Sequence, residues 1–219
     1  TDEPVCTVFG DRFIIRDRSA SRVIGGGKII DPFSRARGRA NPNRIEWLKA
    51  MSHNSNNKAL RSLLVQSSEG LNLGNFSAAR NLTKEESKDI LSSSKIKRVV
   101  DGLNEWGFTF ENWNFLLERM IRCITSFHER NPNLIGLNEN EIEKNLNINL
   151  PTFIKSTALK ECIAMGKLKR SGRYIVEVGH SLKLSRNDQI IWGELENMLI
   201  KYKFSPPVVH DLASYLGME

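Results

Sequence analysis

A repeat constrains this chain more than any other feature. From residue 41 onward, short amphipathic helices followed by two strands around a tight turn occur twice, and a third set begins near the end. In the first copy, Pro42 suits a first helical position, and Ile45, Trp47, Leu48 and Met51 form the first apolar stripe. Leu60, Leu63 and Leu64 share one face of a helix over 58–66, and a short helix over 73–80 ends near Asn81. Thr83-Lys84-Glu85-Glu86 fits a capping box, so a further helix runs to about Ser93. Residues 96–100 and 103–108, either side of Asp101-Gly102, then read as a hairpin.

The second copy keeps this order. A long helix over 111–130 carries Trp113, Leu116, Leu117, Met120, Ile121, Ile124 and Phe127 at helical spacing. Helices over 138–146 and 151–165 follow, the latter with Ile154, Ala158, Leu159, Cys162 and Ile163 inward and Gly166 as its C-terminal cap. A hairpin over 167–170 and 174–178 closes the copy around Ser171-Gly172. Helices over 187–202 and 208–216 open a third. Three short helices and a two-stranded wing make the winged-helix variant of helix-turn-helix.

Ahead of the repeat, Arg12-Phe13-Ile14-Ile15-Arg16 and residues 23–30 read as two strands. Gly25-Gly26-Gly27 interrupts the second, marking a bulge or a close backbone approach. A lone hairpin is marginal in water, so this one is expected to belong to a larger sheet. Arg35-Ala36-Arg37-Gly38-Arg39 reads as a basic linker. The predicted fold class is mainly α with small β hairpins (α+β). Its segments are a hairpin at 1–34, winged helices at 35–110 and 111–185, and the start of another at 186–219. Because the chain opens on Thr1, it is expected to be a piece of a longer protein.

The net charge of +7 is unevenly spread. Residues 1–34 are neutral, 35–110 hold thirteen basic against seven acidic groups, 111–185 eleven against eight, and 186–219 three against five. A basic middle favours a polyanion partner, nucleic acid before membrane. No run approaches the roughly 18 apolar residues of a membrane helix. Cys6, Cys123 and Cys162 lie far apart with no metal-ligand spacing, which suits a reducing cytoplasm and predicts neither disulfide nor metal site.

No catalytic residue is predicted. Gly27-Lys28 resembles the end of a phosphate loop, but Arg22 stands where the loop needs glycine and Ile29 where it needs Ser or Thr. Asn57-Lys58 resembles a guanine-specificity fragment, but Leu60 replaces the required Asp. His128 reads as a core or capping residue, since no nucleophile lies near it in sequence. The tryptophans Trp47, Trp106, Trp113 and Trp192 read as core.

The basic residues are the candidate contacts. Lys155 and Lys160 fall on the outer face of the second copy's third helix, and Lys167, Lys169, Arg170 and Arg173 on its hairpin. Lys84, Lys88, Lys95, Lys97 and Arg98 correspond in the first copy. Helix and wing are where such modules touch nucleic-acid backbones, although the same residues also suit an ordinary solvated surface. Arg12, Arg16, Arg18 and Arg22 gather around one turn, where they serve either as edge protection or as a phosphate-contacting loop.

These residues resemble a family. Arg12 to Asp17 followed by Arg22 to Pro32 is similar to the last hairpin of the third domain of EF-Tu-like translation factors. Asp31-Pro32-Phe33 with Arg35, Arg37 and Arg39 resembles the bacterial selenocysteine-specific elongation factor family, SelB, where that barrel passes into tandem winged helices. Phe127-His128 with Pro132, Gly136 and Leu137, Val178-Gly179-His180 leading to Leu184-Ser185, and Pro206-Pro207 before Asp211-Leu212-Ala213 resemble it further on.

The resemblance implies part of a GTPase that brings selenocysteyl-tRNA to the ribosome at recoded UGA codons and grips an mRNA stem-loop with its final winged helix. It also implies that GTP and Mg belong to the whole factor, with no cofactor held by this stretch. By the resemblance, Arg16 and Asp17 occupy the positions matching those that lie against the tRNA T-stem, and Arg16, Asp17 and Arg22 are expected to contact tRNA in the whole factor. The expected role is a non-catalytic, monomeric, cytoplasmic arm that binds or spaces RNA. The alternatives are a winged-helix DNA-binding regulator, which leaves the N-terminal Arg/Gly hairpin unexplained, and a pure interaction scaffold.

Overall fold

A computed structural model describes residues 5–33, 41–184, 186–202, 207–215 and 217. The linker arginines Arg35, Arg37 and Arg39, and also Ser185, Pro206 and Leu216, lie outside these residues. The described chain is α+β, with helices predominating over small antiparallel sheets. It forms two compact units, one of residues 1–119 and 147–161, the other of 120–146 and 162–219.

The first unit opens with β1 (Arg12–Arg16) and β2 (Val23–Lys28), an antiparallel pair whose residues are all exposed. Ile15 pairs with Gly25 and Arg16 with Val23, so the extra residue is Ile24 and the bulge lies on β2, immediately before the glycine run. The glycines answer a close approach. Phe13 faces Gly27, and a Cβ on Gly27 would lie 2.7 Å from the Phe13 ring.

Next come α1 (Pro42–Met51), α2 (Asn56–Gln66), β3 (Leu71–Asn72), α3 (Leu73–Ala79), α4 (Lys84–Ser93), β4 (Lys97–Asp101) and β5 (Asn104–Phe108). Their starts are capped by side chains of Asn41, Ser55, Asn72 and Thr83 for α1 to α4. The Thr83 box is present in both directions: Glu86 N–H donates to Thr83 Oγ1 at 3.2 Å, and Thr83 N–H to Glu86 Oε2 at 2.9 Å. The apolar faces of α1 to α4 meet in one core, including Met51, Leu60, Leu63, Leu64, Leu73, Phe76 and Leu91. Each such side chain contributes about 1.5–3 kcal/mol by leaving water.

The sheet order is β3-β5-β4, since Leu71 and Asn72 pair with Gly107 and Trp106. Sequence reading leaves β3 out because two residues carry no periodicity. This unit continues into α5 (Phe110–Arg130), where Trp113 is buried edge-to-face against Phe108 with centroids 5.1 Å apart. Asn112 Nδ2 donates to the Leu64 and Ser67 carbonyls at 3.0 and 3.1 Å, satisfying the end of α2.

The second unit holds the rest of α5, then α6 (Glu139–Leu146), the end of α7 (Thr152–Ala164), β6 (Leu168–Ser171), β7 (Tyr174–Glu177), α8 (Arg186–Lys201) and α9 (Val209–Tyr215). Gly166 takes φ +69° after α7, the left-handed cap expected there. Leu137 forms an isolated bridge with Ile175 beside the β6–β7 pair. Met120, Ile124, Ile142, Leu168 and Ile175 are buried, whereas α8 and α9 bury no described residue. Among the described residues, no helix is long and apolar enough to cross a membrane.

Candidate nucleic-acid interface

The six-residue connection between β1 and β2 is organised by Asp17. Its Oδ1 accepts the backbone N–H groups of Ser21 at 2.9 Å and Arg22 at 3.2 Å, and its Oδ2 accepts the Ser21 hydroxyl at 3.0 Å. Asp17 N–H donates to the Arg22 carbonyl at 3.0 Å, and Ala20, at φ +55°, donates its N–H to the Asp17 carbonyl at 2.9 Å. A short acidic side chain bonded to backbone a few residues on is ordinary turn chemistry. The Arg22 N–H, followed by the Ser21 and Ser19 side chains, holds the Asp17 carboxyl below its usual range against a smaller opposing effect of burial. Asp17 therefore shapes the loop from within. Arg12, Arg16, Arg18 and Arg22 are all exposed around it, and Arg16 Nη1 donates to the Ala20 carbonyl at 3.4 Å.

Gly27-Lys28 lies in β2, with Gly27 opposite Phe13 and Lys28 opposite Arg12. A phosphate-cradling loop presents its backbone N–H groups ahead of a helix, and a paired strand does not. These two residues do not fit a nucleotide.

The other candidate cations divide by what they touch. In the first unit, Lys97 turns inward: its Nζ lies 2.6 Å from Glu161 Oε2 and 5.0 Å from the Trp113 ring centroid. Burial raises the Glu161 carboxyl, but the Lys97 hydrogen bond and charge bring it below its ordinary value. Arg98 pairs across the hairpin with Glu105. Lys84, Lys88, Lys95 and Lys160 are exposed, and Lys155 is half-buried. In the second unit, Lys167 and Lys169 are exposed, Arg170 pairs with Glu139, and Arg173 lies along the Tyr174 ring at 4.9 Å. Among the described residues, no carboxylate pairs with Lys95, Lys160, Lys167 or Lys169.

The second unit brings together two sequence segments. His128, 4% exposed near the end of α5, stacks on His180 with centroids 3.7 Å apart and planes 6° from parallel. His128 Nε2 lies 3.3 Å from the Ile135 carbonyl, and His180 Nε2 lies 3.1 Å from that of Leu134. With its proton on Nε2, the neutral His128 ring leaves Nδ1 bare, 3.8 Å from Glu177 Oε2. The core role expected for His128 is observed.

Burial first, then the neighbouring His180, pulls the His128 pKa below its ordinary 6.5, outweighing Ile135 and Glu177. The unfolded chain thus takes up this proton before the folded one does. Stability from His128 is complete above pH 6.5 and falls as the pH drops below it, until the folded ring also titrates. Thermal unfolding of the second unit across pH 5–8 is expected to show this limb, and His128→Gln to flatten it.

The matches to known proteins run along the same chain. Residues 1–36 match the family model described as selenocysteine-specific elongation factor, beta-barrel domain. Over its whole length the chain is 21% identical to the selenocysteine-specific elongation factor of Haemophilus influenzae, aligned over 221 residues and 34% of that protein. It is also 21% identical to that of Escherichia coli, over 230 residues and again 34% of the protein. The chain thus spans about a third of the length of the curated relatives it matches. Its N-terminal hairpin matches this factor's own barrel domain, and the similarity to the factor runs on through the helical units.

Proposed function

We propose that this chain is the arm of a selenocysteine-specific elongation factor that links the tRNA-bearing body to the mRNA-binding tip. It works without catalysis of its own, holding RNA backbone by charge and setting spacing. GTP and Mg act elsewhere in the whole factor. Its partners in that factor are selenocysteyl-tRNA, the ribosome and the mRNA stem-loop. The observation that carries this reading is the exposed arginine turn between β1 and β2, which lies within the stretch matched to the factor's barrel domain.

The order α1-α2-β3-α3-α4-β4-β5, with its three-stranded sheet, supports a winged helix over 35–110. Helices α5 to α7 with the β6–β7 pair support another over 111–185, and α8 and α9 the opening of a third over 186–219, after a barrel hairpin at 1–34. Arg16 and Arg22 contact the tRNA backbone, with Asp17 fixing the turn that carries them. Exposed Lys95, Lys160, Lys167, Lys169 and Arg173, with half-buried Lys155, are the remaining backbone contacts. Lys97, Arg98 and Arg170, already paired with carboxylates, exchange those partners for phosphate only at a cost.

Binding to the mRNA stem-loop, to nonspecific RNA and to duplex DNA across a salt series tests the reading. RNA binding is expected to weaken with salt, and Lys169→Ala to lower the log–log slope by about one unit. In the whole factor, Arg16→Glu is expected to weaken selenocysteyl-tRNA binding. Salt-insensitive RNA binding or a strong preference for duplex DNA would overturn the assignment.

A further inference from the structure

The N-terminal hairpin touches the helical part of the first unit through three separate sets of side chains. At one, Arg80 is 4% exposed just past α3. Its Nη1 donates to the Met51 and His53 carbonyls at 2.6 and 3.0 Å, and its Nε to Asn56 Oδ1 at 2.9 Å. The guanidinium thereby joins the end of α1 to the start of α2, and its carbon lies 3.9 Å from the centroid of the Phe9 ring. Lys28 Nζ lies 4.9 Å from the same centroid, so Phe9 contacts one cation from each side of the joint.

Phe9 is itself fixed. Gly10 N–H donates to the Ile29 carbonyl at 2.9 Å, and Val8 N–H to Asp11 Oδ2 at 2.8 Å. At the second point, Asp31, with its side chain 5% exposed, pairs with Arg44 of α1, whose guanidinium covers the Trp47 ring at 4.5 Å. At the third, Ile30 packs on the helical core. Two contacts permit rotation about the line joining them. Packing of Ile30, beside Asp31, on the helical core resists that rotation.

We propose that Phe9–Arg80, Asp31–Arg44 and Ile30 form a rigid joint that holds the arginine turn in one orientation relative to α4. Arg80, Phe9 and Arg44 are then positioning residues, acting on RNA only through the geometry they impose. That consequence rests on the RNA-binding reading above; the rigidity of the joint does not. Under that reading, phosphate contacts on the turn and on Lys95, just past α4, sit at a set separation, so the module recognises spacing as well as charge.

Spin labels at Ile24→Cys and Lys88→Cys, in the full chain with Cys6→Ser and Cys123→Ser, measure the joint without RNA. The unmutated joint is expected to give one narrow distance distribution. Phe9→Ala, which leaves the helical core untouched, and Arg44→Glu are each expected to broaden it about twofold by freeing a hinge. Adding Asp31→Arg to Arg44→Glu is expected to restore the narrow distribution. Unchanged widths in both single variants, or a broad distribution before mutation, overturn the proposal. If the joint behaves as expected and no salt-sensitive RNA binding is found, the RNA reading fails and the rigid joint stands.

Discussion

Arg80→Ala is expected to lower the stability of the first unit by about 3 kcal/mol. The substitution removes a cation from the carbonyl end of α1 and leaves the Met51 and His53 carbonyls and Asn56 Oδ1 without this donor. Each buried polar group left unsatisfied costs about 1–3 kcal/mol, and losing a cation at a helix C-terminus adds several tenths more. Loss of the Phe9 contact contributes in the same direction. Arg80→Lys is expected to recover part of the loss, because a point charge cannot span acceptors that the planar fork reaches together. Arg80→Met keeps an apolar stem without donors and is expected to stay near the alanine value, separating hydrogen bonding from packing. Urea unfolding followed by tryptophan fluorescence reports on this unit, which holds Trp47, Trp106 and Trp113 of the chain's four tryptophans. A loss below about 1 kcal/mol, the scale of an exposed substitution, would show that Arg80 is dispensable.

Arg80 also shows where sequence reading stops. The helices are legible because their signals are local: Thr83 and Glu86 are three residues apart, and an apolar stripe repeats within a turn or two. The hairpins are legible because Gly102 and Gly172 sit at their turns, with φ +57° and +58°. Arg80 reaches acceptors 24 to 29 residues earlier, and no pattern in a short window announces that. The isolated Leu137–Ile175 bridge and the two-residue β3 are hidden for the related reason that pairing is non-local.

The candidate site divides along the same line. That basic residues gather in the middle of the chain is visible from composition, and the exposed arginine turn follows from Asp and Ser beside a strand end. Which cations face outward is not visible. Lys97 meets Glu161, 64 residues away, and Arg170 meets Glu139, 31 away. Alternation along a strand says only which face a residue occupies, and an acidic partner on a distant helix decides the rest. His128 lay within reach of sequence because it continues the apolar stripe of α5. Its stacking on His180 did not.

Gly136→Ala is expected to cost the second unit about 3 kcal/mol, through steric exclusion and not through backbone conformation. A Cβ at this position would lie 2.3 Å from the Ile175 carbonyl oxygen and 3.2 Å from both its carbon and Val176 Cγ2. The nearest obstacle is backbone, so no rotamer change relieves it. The chain must move apart where Ile175 N–H donates to the Leu137 carbonyl at 2.8 Å and Leu137 N–H to that of Ile175 at 3.3 Å. Those two bonds close over Leu137 and Ile175, which are 3% and 0% exposed, so separation also admits water to the core. The Ile135 carbonyl, adjacent in sequence, accepts from His128, so the stacked histidines are expected to loosen with it. Amide exchange at Ile175 and the unfolding midpoint of the second unit read both effects. Gly193→Ala supplies the contrast, because its new methyl meets nothing within 4 Å. On α8 that change is expected to stabilise by about 0.5–1 kcal/mol through helix propensity alone. Opposite signs for one chemical change in one unit would attribute Gly136 to the 2.3 Å approach, whereas a neutral Gly136→Ala would mean that the Leu137–Ile175 closure is slack.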